Sequence, residues 1–190
     1  TVTPGVRVDF IKTQSKGVYK NIIFDLAGNA ILNQSIPDNR SFDRSFVLLG
    51  VGASYKVSYA AEIYSNLSQN YRSVTFSDIR ITNPSLSIDP NITDEQGYTF
   101  DLGARGKFKN FLRYDFGIFY LSYQDRLGVV VRGVSDIQDE RFRGNIGDAI
   151  TYGFEGFVDW NIWETFSSNE NVRLNTFLNL AFTESQYTKS

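Results

Sequence analysis

The stretch from Gln96 to Gln124 constrains this chain more than any other. Tyr98, Phe100, Leu102, Ala104, Gly106 and Phe108 fall on one parity, and Thr99, Asp101, Gly103, Arg105 and Lys107 on the other. Period two with one apolar face and one wet face is the signature of a β-strand. After Lys109-Asn110 the pattern resumes: Leu112, Tyr114, Phe116, Ile118 and Tyr120 form the apolar face, with Arg113, Asp115 and Gly117 opposite. Phe119 and Leu121 blur the far end. The two arms read as one long hairpin closed by a short connection.

A typical globular strand has about five or six residues. Each arm here runs to about a dozen, and a tilted strand needs about 9–11 residues to cross a bilayer. The apolar face is mostly aromatic, which is unusual for a soluble sheet. The hairpin therefore reads as two transmembrane strands, with Tyr98 and Tyr120 near one interface and Phe108 and Leu112 near the other. A hairpin in a large soluble β-sandwich is the competing reading.

Composition narrows the classes. The net charge is -2, which gives no electrostatic case for nucleic acid. There is no cysteine, hence no disulfide framework and no thiolate metal site. There is no histidine, which removes the usual general base of Ser–His and Cys–His catalysis. No run of eighteen apolar residues exists, so no transmembrane helix is expected. The chain has no methionine and reads as a piece of a longer protein. Sixteen Phe and eleven Tyr against four Pro point to β-structure throughout.

In chain order, Val6, Val8 and Phe10 alternate with Arg7, Asp9 and Ile11, a strand from about Thr3 to Thr13. Gln14 to Ser45 reads as a long irregular loop with Gly17, Gly28, Pro37 and a charged cluster from Asp38 to Arg44; Val18 to Ala27 could form a small hairpin within it. Val47, Leu49, Val51, Ala53 and Tyr55 share the next apolar face, and Lys56-Val57-Ser58 reads as a turn. Tyr59, Ala61, Ile63 and Leu67 alternate with Glu62, Tyr64, Asn66 and Ser68. A second long loop spans about 72–95, with Pro84 and Pro90 barring regular pairing. Gly128-Val129-Val130-Val131 reads as an extension of the second hairpin arm, followed by a charged loop over 134–148. Ile150, Tyr152, Phe154, Gly156, Val158 and Trp160 form one face of the next strand, and a turn covers 162–172. Leu174, Leu178, Leu180 and Phe182 face one way in the last strand, with Arg173, Asn175 and Asn179 opposite.

Long connections at 14–45, 72–95 and 134–148 alternate with short ones at 56–58, 109–110 and 162–172. Outer-membrane barrels sort their loops in this way, short on the periplasmic side and long on the extracellular side. A lipid-facing Arg or Lys near mid-membrane costs about 2–4 kcal/mol. Asp101, Arg105, Asp115, Glu155 and Asp159 all lie on the parity opposite the aromatics, where a polar lumen would receive them. Tyr55, Tyr59, Trp160 and Trp163 gather at the short-turn end, as an interfacial aromatic girdle requires. About seven long strands are expected. Single-chain bacterial barrels have an even number, so the fold class is all-β: an antiparallel transmembrane barrel fragment whose edges need partners.

Several motifs resemble a known family. Tyr64-Ser65-Asn66-Leu67-Ser68-Gln69-Asn70-Tyr71-Arg72 looks like a rising strand of the TonB-dependent outer-membrane receptors. Pro84-Ser85-Leu86 followed by Asp94-Glu95-Gln96-Gly97-Tyr98-Thr99-Phe100-Asp101-Leu102-Gly103 is similar to that family's barrel segment. Asn145-Ile146-Gly147-Asp148-Ala149 into Tyr152-Gly153-Phe154-Glu155-Gly156 resembles a later strand. The likeness covers roughly residues 45–185 and is nearest to ferric citrate-type receptors. It implies residues 1–190 as part of a single barrel domain, within a barrel of about 22 strands around a plug. The plug would lie outside this chain. It also implies outer-membrane localisation, active uptake of a ferric citrate or siderophore-like chelate, and energy coupling to the TonB complex through the plug.

Such chelates are anionic, and guanidinium forks suit carboxylates. Arg40, Arg44, Arg72, Arg80, Arg141 and Arg143 lie on the expected outer loops or at their bases. Arg72 and Arg80 lead the ligand-binding candidates, with Gln69 and Asn70 as hydrogen-bonding groups and Arg141 and Arg143 from the third loop. Asp136, Asp139 and Glu140 lack the spacing of a calcium loop, and no resident cofactor or metal is expected. Bilayer lipid, the TonB complex and a small iron chelate are the expected partners. The competing functions are an outer-membrane barrel of another class, either an enzyme using carboxylate chemistry or a passive channel, and a soluble β-rich carbohydrate-binding module.

Overall fold

The computed structural model describes residues 1–81, 86–135, 138–166, 172 and 174–189. Pro84, Asp136 and Arg173 lie outside the described residues. Seven long strands form one antiparallel sheet in the order β1-β2-β3-β5-β6-β9-β10. They are β1 (Val2–Phe24), β2 (Ala30–Ser58), β3 (Ala61–Arg72), β5 (Glu95–Phe108), β6 (Leu112–Gln124), β9 (Asp148–Asn161) and β10 (Asn175–Lys189). A second sheet of three strands, β4 (Leu86–Ile88), β8 (Gln138–Asn145) and β7 (Leu127–Ser135), lies in the long connections. Two short helices complete the elements, α1 (Phe76–Ile79) and α2 (Ile162–Phe166).

The register puts the apolar rows on one face of the large sheet. Val8 opposes Val47, Val51 opposes Leu67, Leu67 opposes Phe100, Leu102 opposes Ile118, Ile118 opposes Phe154, and Phe154 opposes Phe182. Directly opposed residues in an antiparallel pair share a face. These side chains are exposed, for example Phe116 at 51%, Leu49 at 55% and Leu178 at 58%. Among the described residues, this outward apolar face is not buried against a second layer. The other face carries Asn66 opposite Asp101, Arg105 opposite Asp115, and Arg113 opposite Asp159. Phe119 and Phe157 join this polar face, because Phe119 opposes Asp101 and Phe157 opposes Asp115. Two faces of opposite character on a one-layer sheet suit a wall between hydrocarbon and water.

Residues 14–45 are not a loop. β1 and β2 stay paired from Val2↔Ala53 to Phe24↔Ala30, and the turn is only Asp25 to Asn29. Asp25 Oδ1 accepts hydrogen bonds from the Ala27 and Asn29 amides at 2.9 and 2.8 Å, and Gly28 takes a positive φ of 84°. The Asn29 backbone and side-chain donors hold the Asp25 carboxyl below its usual pKa. The outward row of β1 changes from Val2, Pro4, Val6, Val8 and Phe10 to Lys12, Gln14 and Lys16. On β2 it changes from Val47 to Ser45, Asp43 and Ser41. The outward row turns polar at this boundary, and the apolar signal ends there although the strands continue. Pro37 is tolerated because β2 meets β3 only from Gly50 onward, so among the described residues β1 is its only strand partner at that level.

The other boundaries move less. The turn after β2 falls at Tyr59-Ala60 rather than at 56–58. Residues 72–95 contain α1 and β4, residues 134–148 contain β8, and residues 162–172 contain α2. Gly128 to Val131 do not prolong β6. A turn at Asp125, with φ of 54°, sends them into β7, which pairs with β8.

The buried hydrophobic cluster lies outside the barrel wall. Val74, Ile79, Ile88 and Ile92 are each no more than 6% exposed, and Phe42, Ile81 and Leu127 pack against them. Phe42 belongs to the inward row of β2, so the long connections fold as a cap against the inner side of the projecting hairpin.

Candidate functional site

Two regions on the inner side of the sheet can act on a solute: the wall and the cap. On the wall, Tyr64 crosses β5 and its hydroxyl donates to Asp115 Oδ1 at 2.8 Å. It passes over Gly103, where any Cβ would collide with the ring. The Arg105 guanidinium lies 5.2 Å from the Tyr64 ring centroid and 3.2 Å from Glu62. Asn66 Nδ2 approaches Asp101 at 3.4 Å. Between Tyr64, Asn66, Asp101 and Asp115 on one side and Glu155, Phe157 and Asn179 on the other runs a groove of about 730 Å³. The wall is thus hydrophilic and cross-linked, and it can border water.

The cap is held by a charged network at the ends of β3 and β5. Glu95 is 5% exposed and accepts from Arg72 Nη1 at 2.8 Å and from the Leu127 amide at 2.8 Å. Arg72 also bridges to Asp78 at 3.2 Å. Asp78 Oδ2 accepts from the Thr75 amide and hydroxyl at 2.9 and 2.7 Å, which fixes the start of α1. Burial opposes ionisation of Asp78, but the Thr75 hydrogen bonds and the Arg72 charge outweigh it, so its pKa is lowered. Asp94 accepts from the Val74 amide at 2.7 Å and from the Tyr71 hydroxyl, and it lies 3.1 Å from Arg44 Nε. Burial and the Asp94 carboxylate both push the Tyr71 hydroxyl pKa up. Arg44 Nη2 donates to Thr13 Oγ1 at 2.8 Å and to the Val74 carbonyl at 2.9 Å.

Asn145 joins the two long connections. Its Oδ1 accepts from the Thr93 amide at 2.8 Å, and its Nδ2 donates to the Thr93 and Asp125 carbonyls. Asp148 Oδ1 accepts from the Asp125 amide at 3.0 Å, and Gly147 takes a positive φ of 139°. The motif residues Asp94, Glu95, Asn145, Gly147 and Asp148 therefore meet at one level, at the junction of wall and cap.

The structure places the six ligand candidates in different situations. Arg72 sits in the carboxylate clamp just described. Gln69 Oε1 accepts from the Leu49 amide at 2.9 Å, where β3 parts from β2. Asn70 Nδ2 donates to Thr99 Oγ1 at 3.2 Å. Arg143 donates to the Ser77 carbonyl, tying β8 to α1. Arg80 and Arg141 are exposed and make no hydrogen bond or ion pair among the described residues. Arg40 pairs with Asp38 at 2.9 Å and reaches the Asp89 carbonyl at 3.3 Å.

Sequence reasoning missed Arg44, Glu95 and Asn145 as the residues that organise the cap. Both parities of residues 37–44 are mostly polar, so no local alternation marked this part of β2 as a strand. Among the described residues no group of three or more His, Cys, Asp or Glu could hold a metal ion.

The family model for TonB dependent receptor-like β-barrels matches residues 1–190, the whole chain. The chain belongs to this family. Its fold is similar to three solved structures. The copper transporter OprC shares 15% identity at a TM-score of 0.70 over 98% of this chain and 27% of that one. The ferric-catecholate import receptor Fiu from K12 E. coli shares 14% at 0.56, over 85% and 23%. The Serratia marcescens hemophore receptor HasR, solved with its hemophore HasA and heme, shares 12% at 0.57, over 83% and 30%. No curated protein matches. This receptor chain spans between 23% and 30% of the length of those structures. Its seven-strand sheet is a fragment of a larger outer-membrane β-barrel, as the sequence led us to expect.

Proposed function

We propose that this segment is wall and outer rim of an energised outer-membrane receptor that imports an anionic iron chelate, of the ferric citrate or siderophore kind. The observation that carries the reading is the two-faced single-layer sheet in a chain of this family. Its apolar face suits bilayer lipid. Its polar face suits a water-bearing interior around a plug supplied elsewhere in the protein, through which the TonB complex would act. The segment lies within one barrel domain, performs no covalent chemistry and needs no resident cofactor.

Arg80 and Arg141 are the residues proposed to meet the chelate, because they are exposed cationic groups on the cap. Guanidinium forks match carboxylate oxygens in geometry and charge. Arg72, Arg143, Gln69 and Asn70 would shape the rim that presents them. The cargoes named for the similar structures, copper, a ferric catecholate and heme on a hemophore, are the natural competitors.

The test is uptake by cells with and without the gene, in the presence and absence of TonB, offered labelled ferric citrate, a ferric catecholate, heme and copper. Gene- and TonB-dependent uptake of an iron chelate is expected. Arg80→Ala with Arg141→Ala should weaken that chelate's binding by about tenfold or more, as loss of charge-assisted contacts implies. Uptake of copper or heme alone would refute the cargo assignment, and uptake without TonB would refute the coupling.

A further inference from the structure

The β1–β2 hairpin outruns the sheet that carries it. β3 leaves β2 after Gly50↔Ser68, yet β2 continues beside β1 to Ala30. Successive residues of a strand present their N–H and C=O groups to opposite edges. Ser54 exchanges hydrogen bonds with Thr1 on the β1 side, and the Leu49 amide points the other way, to the Gln69 side chain on β3. The β1–β2 register runs without a shift from Ala53 to Leu32. The odd-numbered residues of β2 therefore turn their backbone groups away from β1 along the whole hairpin. Gln69 fills the last rung, at Leu49. From Val47 to Asn33 the odd-numbered backbone groups have no hydrogen-bond partner among the described residues.

A free edge is a template for another strand, and proteins guard such edges with bulges, prolines and charges. This edge is about 50 Å long at the usual rise of about 3.4 Å per residue, and its guards are Pro37 and the Asp43 carboxylate. The distal half of the hairpin also exposes apolar side chains that neither lipid nor the cap accounts for. The highest contact of the cap on β2, among the described residues, is Arg40 to the Asp89 carbonyl. Beyond it Val18 and Ile31 are each 67% exposed, and Leu26 at the turn is fully exposed. At a barrel tilt of about 35–45°, Val18 stands about 20 Å past Phe10, where the outward row turns polar. A headgroup layer is about 5–8 Å deep, so these side chains meet the aqueous medium.

We propose that the free edge of β2 between Asn33 and Ser45 binds an extended segment of an extracellular protein, which joins the sheet as an added strand. The occupant is a polypeptide because the rungs recur at every second residue, about 6.8 Å apart, and another backbone supplies donors and acceptors at that spacing over such a length. A second receptor does not fit: the edge faces the space above β3 of its own wall, where a neighbouring barrel cannot stand. Leu32 and Ile36 lie on the inward face beside the edge, and Asn39, Ser41 and Ser45 on the outward face. The added strand therefore carries apolar residues inward and small polar residues outward. The proposal rests on the projection of the hairpin beyond the membrane and not on the identity of the cargo.

The test is hydrogen exchange on the full-length receptor in detergent, alone and with the secreted-protein fraction of the same cells, intact or protease-digested. In the receptor alone, the amides of Asn39, Ser41, Asp43 and Ser45 should exchange at least about tenfold faster than those of Arg40, Phe42 and Arg44, which β1 holds. The intact fraction should slow the odd-numbered set by about tenfold or more, and the digested fraction should leave it unchanged. Ser41→Pro removes one free-edge N–H without touching the β1 ladder, as Pro37 already does. It should weaken the capture about fivefold or more, whereas Ser41→Ala retains it. Protection of Arg40 and Phe42 checks that the hairpin of each variant is folded. Slow exchange of the odd-numbered amides in the receptor alone would show that one of its own segments fills the edge, and overturns the proposal. So does unchanged exchange with the intact fraction, equal slowing by the digested one, or an equal loss in Ser41→Pro and Ser41→Ala. None of these readouts depends on what the receptor imports.

Discussion

Truncating Ile79 to Ala tests whether the cap is one cooperative unit. Ile79 is fully buried in a cluster of four, with Val74, Ile88 and Ile92. The change removes three carbons, worth about 0.8 kcal/mol each in transfer free energy. A cluster this small cannot collapse fully, so a cavity cost adds to that, and Ile→Ala changes span about 2–5 kcal/mol. An estimate of about 3 kcal/mol corresponds to roughly a hundredfold rise in the population of the opened cap. Ile79 sits on α1, Ile88 on β4, and Leu127 at the start of β7. Hydrogen exchange on the full receptor should therefore show about a hundredfold loss of protection in amides of α1, β4, β7 and β8 together. The wall strands β5 and β6 should keep theirs, because their ladders are hydrogen-bonded on both sides without the cap. Faster exchange confined to α1, with β7 and β8 unchanged, would refute the single-unit cap. Equal loss in β5 and β6 would refute the separation of cap from wall.

Phe116→Arg places a charge on the lipid face near mid-belt and should cost about 2–4 kcal/mol in reversible folding into bilayers, whereas Asn66→Arg on the inner face should cost under about 1 kcal/mol. Equal costs would remove the two-faced wall. Gly103→Val should displace Tyr64 from Asp115 and lower stability by about 1–3 kcal/mol, read as a lower heat-modifiability midpoint. Tyr64→Ala in the same chain should recover part of the loss. Asp78 has a lowered pKa in the fold, so its contribution to the cap is present above the ordinary aspartate pKa near 3.9 and is lost as pH falls through the folded value. Exchange protection of α1 should be steady from about pH 7 to 5 and decline below about pH 4, and Asp78→Asn should flatten that decline.

Much of the wall was legible in the sequence because a one-layer sheet between lipid and water enforces strict alternation. The Tyr98 to Phe108 and Leu112 to Tyr120 rows lie in the structure on the face assigned to them, with the two arms in register from Gln96↔Gln124 to Phe108↔Leu112. The same logic explains the error at residues 14–45. Once the strands leave the bilayer the outward row no longer needs to be apolar, and Lys12, Lys16, Ser41 and Asp43 erase the contrast by which a strand is recognised. The candidate rim was legible only as a list of arginines. Nothing local distinguishes Arg72, which spans Glu95 and Asp78 across gaps of 23 and 6 residues, from exposed Arg80.

The sequence by itself determined which face of each spanning strand meets hydrocarbon, because desolvating a charge there is too costly to be ambiguous. Tertiary structure alone decided the cap. Its core draws Val74, Ile79, Ile88 and Ile92 from one connection, with Phe42 from β2 and Leu127 from β7 packed against them. Its polar anchors join Thr13 to Val74, Glu95 to Leu127 and Asn145 to Thr93. Burial is set by which distant segments arrive together, and a residue's immediate neighbours in the chain carry no record of that.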